Sequence, residues 1–238
     1  MASPETPVGF DEQNAAAYDD RFAKIGALRD SLLLQTRAIL GDLPADARIL
    51  CVGAGTGHEL LALATHFPGW HFTAVEPSAP MMAICRRRAA EHGFAQRCSF
   101  HTGYLDTLPA GEPFHAATCL LVSHFIVAPE ARRTFFRQIA ERLRPHGRLV
   151  SADLSGDRST PEHAKLETVW FRLMEIAGVP PEQHANLRQA WQRDVGFLPV
   201  AEQEALIASA GFEPPVLFLQ SLLIRAWFAQ RTQREPQA

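Results

Sequence analysis

A strong excess of charge of either sign is missing from this sequence. Its 23 lysine and arginine residues are nearly balanced by 26 aspartate and glutamate residues, and the formal net charge is −3 over 238 residues. This balance excludes a global electrostatic attraction to nucleic acid or to anionic lipid, although it leaves room for a local basic patch. Apolar residues make up 47% and charged residues 21% of the chain, a composition typical of a globular protein.

Cysteine is scarce, and neither cysteine nor histidine shows the spacing of a metal site. The four cysteines are Cys51, Cys85, Cys98 and Cys119, and they form no Cys-x-x-Cys pair. Their scatter argues against a zinc site and against a disulfide framework. The ten histidines include no pair at helical spacing with an intervening acid, so we expect no bound metal.

The sequence also lacks a long apolar run and a basic leader. The longest uncharged apolar stretch, residues 114–129, contains two histidines and is shorter than a bilayer span. The first residues show neither a basic segment nor an apolar core. We therefore expect a cytoplasmic protein that makes no contact with a membrane.

Strand-like and helix-like segments alternate along the first two thirds of the chain. Short apolar runs predict strands over residues 47–52, 71–76, 98–102, 114–123 and 148–153. Helical periodicity covers residues 15–40, 58–64, 78–92 and 129–143. Such alternation predicts an α/β fold, in which a mostly parallel sheet carries helices on both faces.

The last third of the chain departs from this alternation. A helix is predicted over residues 199–210, followed by two strand-like runs at 215–220 and 223–230. So short a link cannot form a parallel crossover, so the last of seven strands is predicted to be antiparallel. Residues 155–198 have helical stretches that do not fit the alternation, and they are predicted to form an inserted helical cover on the substrate side of one domain spanning residues 1–238.

A glycine-rich loop follows the first predicted strand. Gly53, Gly55 and Gly57 allow a sharp turn and a close approach of backbone amides to a ligand. A dinucleotide fingerprint would place its third glycine at position 58, where this chain has His58, so a nicotinamide dehydrogenase is disfavoured. The second predicted strand ends in Glu76, whose carboxylate can accept hydrogen bonds from both hydroxyls of a ribose.

On these residues the chain resembles the class I S-adenosylmethionine-dependent methyltransferases. Residues 52–57, Val-Gly-Ala-Gly-Thr-Gly, match the first motif of that family, and residues 74–78, Ala-Val-Glu-Pro-Ser, match the second. The resemblance covers about residues 15–154 and 199–230. It implies a Rossmann-like methyltransferase fold, S-adenosylmethionine as cofactor and S-adenosylhomocysteine as product.

The resemblance also implies which residues bind the cofactor. They follow the first four strands and comprise Gly53, Ala54, Gly55, Thr56, Gly57, Glu76, Pro77, Met81, Tyr104, Leu105 and Leu121. Tyr18 and Arg21, in the first helical stretch, either close over the cofactor or lie on a solvated helix face. Both readings remain open at this point.

Substrate contacts are expected after the fourth strand and in the cover. His124 is a candidate catalytic base for a hydroxyl or an acidic carbon, and its alternative is hydrogen-bonded packing. Phe125 is expected to face the substrate. The residues Trp170, Met174 and Trp191 are candidates for the substrate pocket or, equally, for the core of the cover itself.

A narrower resemblance links the chain to enzymes that modify the wobble uridine of tRNA with a carboxylated form of the cofactor. It rests on residues 25–28, on the three arginines at 86–88, on the cover and on residues 210–212. The arginine run is also what a solvated helix face would show. Arg188 falls where that group has an arginine able to pair with the extra carboxylate, and its alternative is a pair with a surface acid.

These observations predict a methyltransferase that acts on a small organic acceptor enclosed by residues 155–198. One alternative is a tRNA-modifying transferase, which would make tRNA a partner. A second alternative is a regulator that binds S-adenosylmethionine without catalysis. The sequence leaves open whether the protein forms a homodimer.

Overall fold

One seven-stranded sheet organises the part of the chain that the structure describes. The structure is a computed structural model, and it describes residues 19–20 and 23–233. The strands are β1 (Arg48–Val52), β2 (His71–Glu76), β3 (Cys98–Thr102), β4 (Phe114–Leu120), β5 (Leu143–Leu154), β6 (Val216–Ser221) and β7 (Ile224–Gln230). Within the described residues they form a single sheet in the order β3-β2-β1-β4-β5-β7-β6.

The pairing of the strands confirms the predicted sheet. β1 through β5 pair with their neighbours in parallel, whereas β7 is antiparallel to both β5 and β6. Only two residues, Leu222 and Leu223, connect β6 to β7, which allows a hairpin but no parallel crossover. The last strand is therefore the antiparallel one.

Helices cover both faces of this sheet. They are α1 (Gly26–Leu40), α2 (His58–His66), α3 (Ala79–Glu91), α4 (Pro129–Arg142), α5 (Pro161–Ile176), α6 (His184–Asp194) and α7 (Val200–Ser209). One apolar core joins α1, α2 and α3 to the sheet, and a second joins α4 and α7 to the sheet. The two cores fix the carboxyl ends of the parallel strands at one edge, where ligands bind in such folds.

Two strand boundaries differ from the expected ones. β4 ends at Leu120 rather than at residue 123, because Leu121 has a φ of +61° and breaks the extended backbone. Residues Ser123–Phe125 then form a short 3₁₀ turn. β5 begins at Leu143, five residues before the predicted start, because Leu143 already pairs with Phe114 across a bulge.

The segment predicted as a cover contains α5 and α6, joined by a short 3₁₀ turn over Pro181–Gln183. Trp170, Met174 and Trp191 from these helices share an apolar cluster with Leu223 at the tip of the β6–β7 hairpin. The carbonyl of Leu223 also accepts a hydrogen bond of 2.9 Å from the amide of Ser155. The hairpin tip thereby contacts both helices of the cover and the residue at which the cover begins.

A carboxyl group is buried beneath the glycine-rich loop. Glu59 lies in the first turn of α2, is 8% exposed, and its Oε1 has no hydrogen-bond partner among the described residues. Burial raises the pKa of Glu59 to about 7, while the side chains of Thr118 and Cys51 act in the opposite direction. The folded protein therefore keeps a proton on Glu59 up to near-neutral pH.

We expect this group to make the protein less stable as pH rises. Glu59 ionises near its ordinary pKa of 4.5 in the unfolded chain but near 7 in the folded state. Between these values the unfolded chain binds fewer protons, so the free energy of unfolding falls by on the order of 3 kcal/mol. Glu59→Gln should therefore gain stability over the wild type at about pH 8 and much less at about pH 5.

Urea unfolding of both proteins at the two pH values measures this difference. Glu182→Gln, at an exposed position before α6, serves as the matched control and should show no pH-dependent gain. A Glu59→Gln effect of equal size at both pH values would show that the carboxyl does not titrate between them.

Candidate active site

The glycine-rich loop after β1 has a backbone that a ligand can approach closely. The amides of Gly53 and Ala54 donate to the carbonyl of Val75, at 2.8 and 3.0 Å, which ties the loop to β2. Gly53, Gly55 and Gly57 have φ values of +70°, +54° and +84°, a region that favours glycine. The sequence places glycine where the backbone turns left-handed.

The three glycines differ in what a side chain would meet. At Gly53 a Cβ would collide with Val122, and at Gly57 it would lie 2.8 Å from Sγ of Cys85. At Gly55 the nearest atom would be Sδ of Met81, at 3.9 Å. Gly53 and Gly57 are therefore required by the protein's own packing, whereas the space at Gly55 fits a ligand held against the loop.

Glu76 joins the end of β2 to this loop. Its side chain is buried, with Oε2 accepting from the amide of Gly55 at 3.0 Å and Oε1 from the amide of Ser78 at 2.8 Å. Burial raises the pKa of Glu76, and the two amide hydrogen bonds partly offset that shift. Each carboxylate oxygen can accept a further hydrogen bond, so the group suits a ribose diol.

The residues expected near the adenine flank Glu76. Pro77 is exposed, and Met81 is buried in the first turn of α3, where its amide donates to the capping Ser78 hydroxyl at 3.4 Å. Tyr104 is 41% exposed, and Leu105 is buried at the start of a 3₁₀ turn. The amide of Gly103, which precedes these two residues, donates to the carbonyl of Glu76.

A polar cluster that the sequence did not reveal holds the loop from the other side. Oδ1 of Asp19 accepts a hydrogen bond of 2.7 Å from Thr56 and lies 3.1 Å from Nε2 of His58. Oδ2 of Asp19 accepts 2.5 Å from Arg88, which also donates to the carbonyl of Thr56. Burial would raise the pKa of Asp19, but these hydrogen bonds and the nearby positive charges lower it overall.

The cluster also explains part of the arginine run. Arg88 binds the loop, Arg86 donates to the carbonyl of Phe100, and Arg87 lies 3.7 Å from Glu91. Each arginine thus has a partner within the protein. Tyr18 and Arg21, predicted to close over the cofactor, lie outside the described residues, whereas Asp19 between them contacts the loop.

His124 lies at the carboxyl end of β4 and is paired with a carboxylate. Its Nδ1 is 3.1 Å from Oδ1 of Asp153, and both side chains are almost fully buried. Because a carboxylate only accepts hydrogen bonds, this pairing favours a ring proton on Nδ1 and a lone pair on Nε2, whereas the backbone amide of Leu154, 3.4 Å from Nδ1, favours the opposite tautomer. The ring centroid of Phe125 lies 4.3 Å from that of His124.

Asp153 is held by donors from several elements. Its Oδ2 accepts from the Ser123 hydroxyl at 2.6 Å and from the Gln203 amide at 3.3 Å, and its Oδ1 accepts from the backbone amide of His124 at 2.9 Å. Buried charges need such compensation. The sequence did not mark Asp153, because the last residue but one of a buried strand shows no local signal of function.

Arg132 extends this network towards the cover. It is 1% exposed and donates to Oε1 of Gln203 at 3.3 Å, to the carbonyl of Ile126 at 3.0 Å and to that of Gly196 at 2.7 Å. The amide of Gly196 in turn donates to the carbonyl of His124 at 2.8 Å. The end of the cover is therefore bonded directly to the turn that carries His124.

The expected substrate residues fall into one apolar cluster. Trp170, Met174 and Trp191 are each less than a tenth exposed, and the partly buried Leu121 and Phe125 pack against the same cluster. Arg188 borders this cluster: its guanidinium is 4.1 Å from the ring centroid of Phe171, a ring that lies 5.7 Å from that of Trp191, and its Nε is 3.6 Å from Glu167. An acid partner, the partly buried Glu167, is thus present, as in the alternative that the sequence left open.

Two further observations concern metals and membranes. No group of three or more potential metal ligands occurs within residues 19–20 and 23–233. Among the helices of those residues, none is long and apolar enough to cross a membrane.

Comparison with known proteins shows which proteins the chain resembles. Residues 49–147 match the family described as "Methyltransferase domain". Over 207 residues the chain is 26% identical to the carboxy-S-adenosyl-L-methionine synthase of Methylococcus capsulatus, covering 86% of this chain and 85% of that protein. It is 28% identical to the O-methyltransferase cnsE of Penicillium expansum, covering 81% of this chain and 72% of that protein.

A solved structure supports the same fold. The mitomycin 7-O-methyltransferase MmcR superposes with a TM-score of 0.60 at 20% identity over 84% of this chain. The present chain spans only 54% of the length of MmcR and 59% of another solved chain, from Nostoc punctiforme.

The sheet order, the glycine-rich loop and the acid at the end of β2 are those that the resemblance to class I S-adenosylmethionine-dependent methyltransferases implies. Residues 49–147 match a methyltransferase domain, in line with S-adenosylmethionine-dependent methyltransferase activity. This confirms the resemblance identified from residues 52–57 and 74–78.

Loss of the Glu76 carboxylate should weaken cofactor binding. Because its hydrogen bonds to a ribose are charge-assisted, Glu76→Ala should reduce affinity for S-adenosylhomocysteine by roughly 1.5–3 kcal/mol. Calorimetric titration measures this, and thermal unfolding checks that the variant is folded. Glu130→Ala, at an exposed position in α4, is the control, and unchanged affinity in Glu76→Ala would remove Glu76 from the cofactor site.

Proposed function

We propose that this protein is an S-adenosylmethionine-dependent O-methyltransferase whose acceptor is a small organic molecule with an ionisable hydroxyl. The observation that carries this proposal is the buried pair of His124 and Asp153 at the carboxyl end of β4 and β5. The pair lies at the same edge of the sheet as the glycine-rich loop and Glu76. The relatives cnsE and MmcR, which are O-methyltransferases by name, support the choice of an oxygen acceptor.

The residues of the carboxyl edge suit the cofactor. The open space at Gly55 and the carboxylate of Glu76 would hold its amino acid and ribose parts, and Pro77, Met81, Tyr104 and Leu105 would flank the adenine. When bound, the cofactor supplies an electrophilic methyl group on a sulfonium. The contribution of the protein is then to position the acceptor, to exclude water and to remove a proton.

Proton removal is the task that His124 fits. With its Nδ1 proton directed at Asp153, the imidazole presents Nε2 as a base, and Asp153 stabilises the imidazolium that forms when Nε2 takes a proton. Hydrogen bonds from the Ser123 hydroxyl, the His124 amide and the Gln203 side chain hold the Asp153 carboxyl group in place and thereby orient the ring. General bases of this kind contribute about 10²–10⁴-fold to rate.

The cover supports a small organic acceptor. Trp170, Met174 and Trp191 are apolar and buried, and their cluster continues to Leu121 and Phe125 beside His124. Such a lining excludes water from the reacting groups.

A cytoplasmic location belongs to the same proposal and is supported by four cysteines that are all free thiols.

A second candidate function is modification of the wobble uridine of tRNA by a transferase that uses carboxylated S-adenosylmethionine. The observation in its favour is the similarity to a carboxy-S-adenosyl-L-methionine synthase over 86% of the chain. Against it, Arg188 already has Phe171 and Glu167 as partners. A regulator without catalysis is distinguished from both by the absence of acceptor-dependent turnover.

Replacement of His124 or Asp153 should separate chemistry from cofactor binding. His124→Gln removes the base and Asp153→Asn disfavours the required tautomer, so each should lower kcat by about 10²–10⁴-fold without changing S-adenosylhomocysteine affinity. The measurement is formation of S-adenosylhomocysteine with a panel of phenols. Part of the lost rate should return at high pH, where the phenol ionises without a base.

His92→Gln, at an exposed position after α3, is the matched control and should keep wild-type kcat. Full activity in His124→Gln would exclude the proposed base. Binding of S-adenosylmethionine without turnover of any phenol would instead favour the regulator.

A further inference from the structure

A second set of side chains near the carboxyl edge carries buried polar atoms, and the assignments above leave the hydrogen-bonding capacity of these atoms unused. Arg225, His163 and Trp170 are 7%, 5% and 6% exposed. Among the described residues, Nε of Arg225, both ring nitrogens of His163 and Nε1 of Trp170 have no hydrogen-bond partner. Buried donors are normally satisfied, so several such atoms in one region call for an explanation.

Arg225 is the charged member of this set. It lies near the start of β7 in direct register with Asp153 of β5. Since directly opposed residues of antiparallel strands project from the same face, Arg225 lies on the same face of the sheet as Asp153. Its guanidinium donates to the carbonyl of Ser155, and no carboxylate of the described residues lies within 4.0 Å of it. Glu162 acts on it only at longer range.

His163 converges on the same place. A Cβ on Gly156 would lie 2.5 Å from Nδ1 of His163 and 3.5 Å from a terminal nitrogen of Arg225. Glycine at this position therefore lets the two side chains approach each other. Burial lowers the pKa of His163, and Arg158 and Arg225 add to this effect while Glu167 and Asp157 oppose it. A neutral imidazole can both donate and accept a hydrogen bond.

Aromatic rings connect this polar group to the proposed acceptor region. The ring centroid of Phe197 is 5.2 Å from that of His163 and 5.6 Å from that of Trp191. Trp191 is in turn 5.9 Å from Trp170. Phe197 directly follows Gly196, whose amide is bonded to the carbonyl of His124. These contacts run from His163, which lies near Arg225, to the segment that is bonded to the turn of His124.

An unpaired guanidinium in a buried site is unfavourable. Its desolvation is offset only when an anion or several acceptors replace water. Arg132 shows the satisfied case, since it donates to three carbonyls and to Gln203. Arg225 has one protein acceptor, so most of its hydrogen-bonding capacity is left for a ligand.

We infer that Arg225, together with His163, forms the recognition site for a carboxylate on the acceptor, which is thus a small aromatic acid. This inference rests on the proposed function, because it places the acceptor in the cover. Trp170 and Trp191 contact the aromatic ring, and the hydroxyl to be methylated lies at the end that faces His124.

Paired probes test the inference. Protein saturated with S-adenosylhomocysteine is titrated with 4-hydroxybenzoate and with 4-hydroxybenzamide, which differ in charge but hardly in shape. We expect the acid to bind about tenfold or more tightly than the amide, and Arg225→Gln to abolish this preference. Equal binding of the two probes, or no detectable binding of the acid to the wild type, would overturn the inference.

The melting temperature of the ligand-free protein provides a second test of the inference. Arg225→Met removes an uncompensated buried charge, so its melting temperature should equal or exceed that of the wild type. Arg148→Met is the matched control, because Arg148 lies at the opposite edge and is bonded to Asp42 and to the carbonyl of Ile39. If Arg225→Met melts at a lower temperature than the wild type and still prefers 4-hydroxybenzoate over 4-hydroxybenzamide, Arg225 has a structural role and does not recognise the acceptor.

Cofactor binding separates the two hypotheses. S-adenosylhomocysteine affinity should be the same in the wild type and in Arg225→Gln. A weakened affinity would place the guanidinium on a carboxylate of the cofactor and overturn the assignment to the acceptor. Turnover of phenols without any preference for acids would contradict this inference alone, whereas absence of cofactor binding in the wild type would contradict the proposed function.

Discussion

The buried carboxylate of Asp153 is the constraint on which the candidate active site depends. A fully buried charge is tolerated only when donors replace its lost hydration, and Asp153 receives them from Ser123, His124 and Gln203. These donors come from the turn after β4 and from α7. Compensating one charge therefore fixes three elements at the carboxyl edge and orients the imidazole that carries the proposed chemistry.

The same network couples the catalytic turn to the cover. Gln203 bridges Asp153 and Arg132, because its side chain donates a hydrogen bond to Asp153 and accepts one from Arg132. Arg132 also donates to the carbonyl of Gly196 at the end of the cover. On the opposite side of the edge, Asp19 and Arg88 hold the glycine-rich loop. The loop, the base and the cover are thus each fixed by buried or partly buried polar contacts. This arrangement suits a reaction in which the protein mainly positions its reactants and excludes water.

Local patterns predict most of the fold, whereas the partners within the site depend on long-range contacts. The change of apolar period marks strands and helices, and the two-residue link before β7 predicts its antiparallel direction. Asp19 and Arg88 are 69 residues apart, and Asp153 and His124 are 29 residues apart. Nothing in the spacing of such residues indicates that they meet, because that depends on which strand ends become neighbours. The role of Gly55 is predictable from the sequence, because both its left-handed backbone and its place in the loop after β1 are local features.

Mass spectrometry of the purified protein under native conditions tests the central claim most directly. The account predicts a bound compound with the mass of S-adenosylmethionine or S-adenosylhomocysteine, or binding of either when it is added. A bound carboxylated cofactor would contradict ordinary methyl transfer and favour the tRNA-related alternative. A protein that is empty and binds no added cofactor would contradict the assignment of the carboxyl edge as the cofactor site.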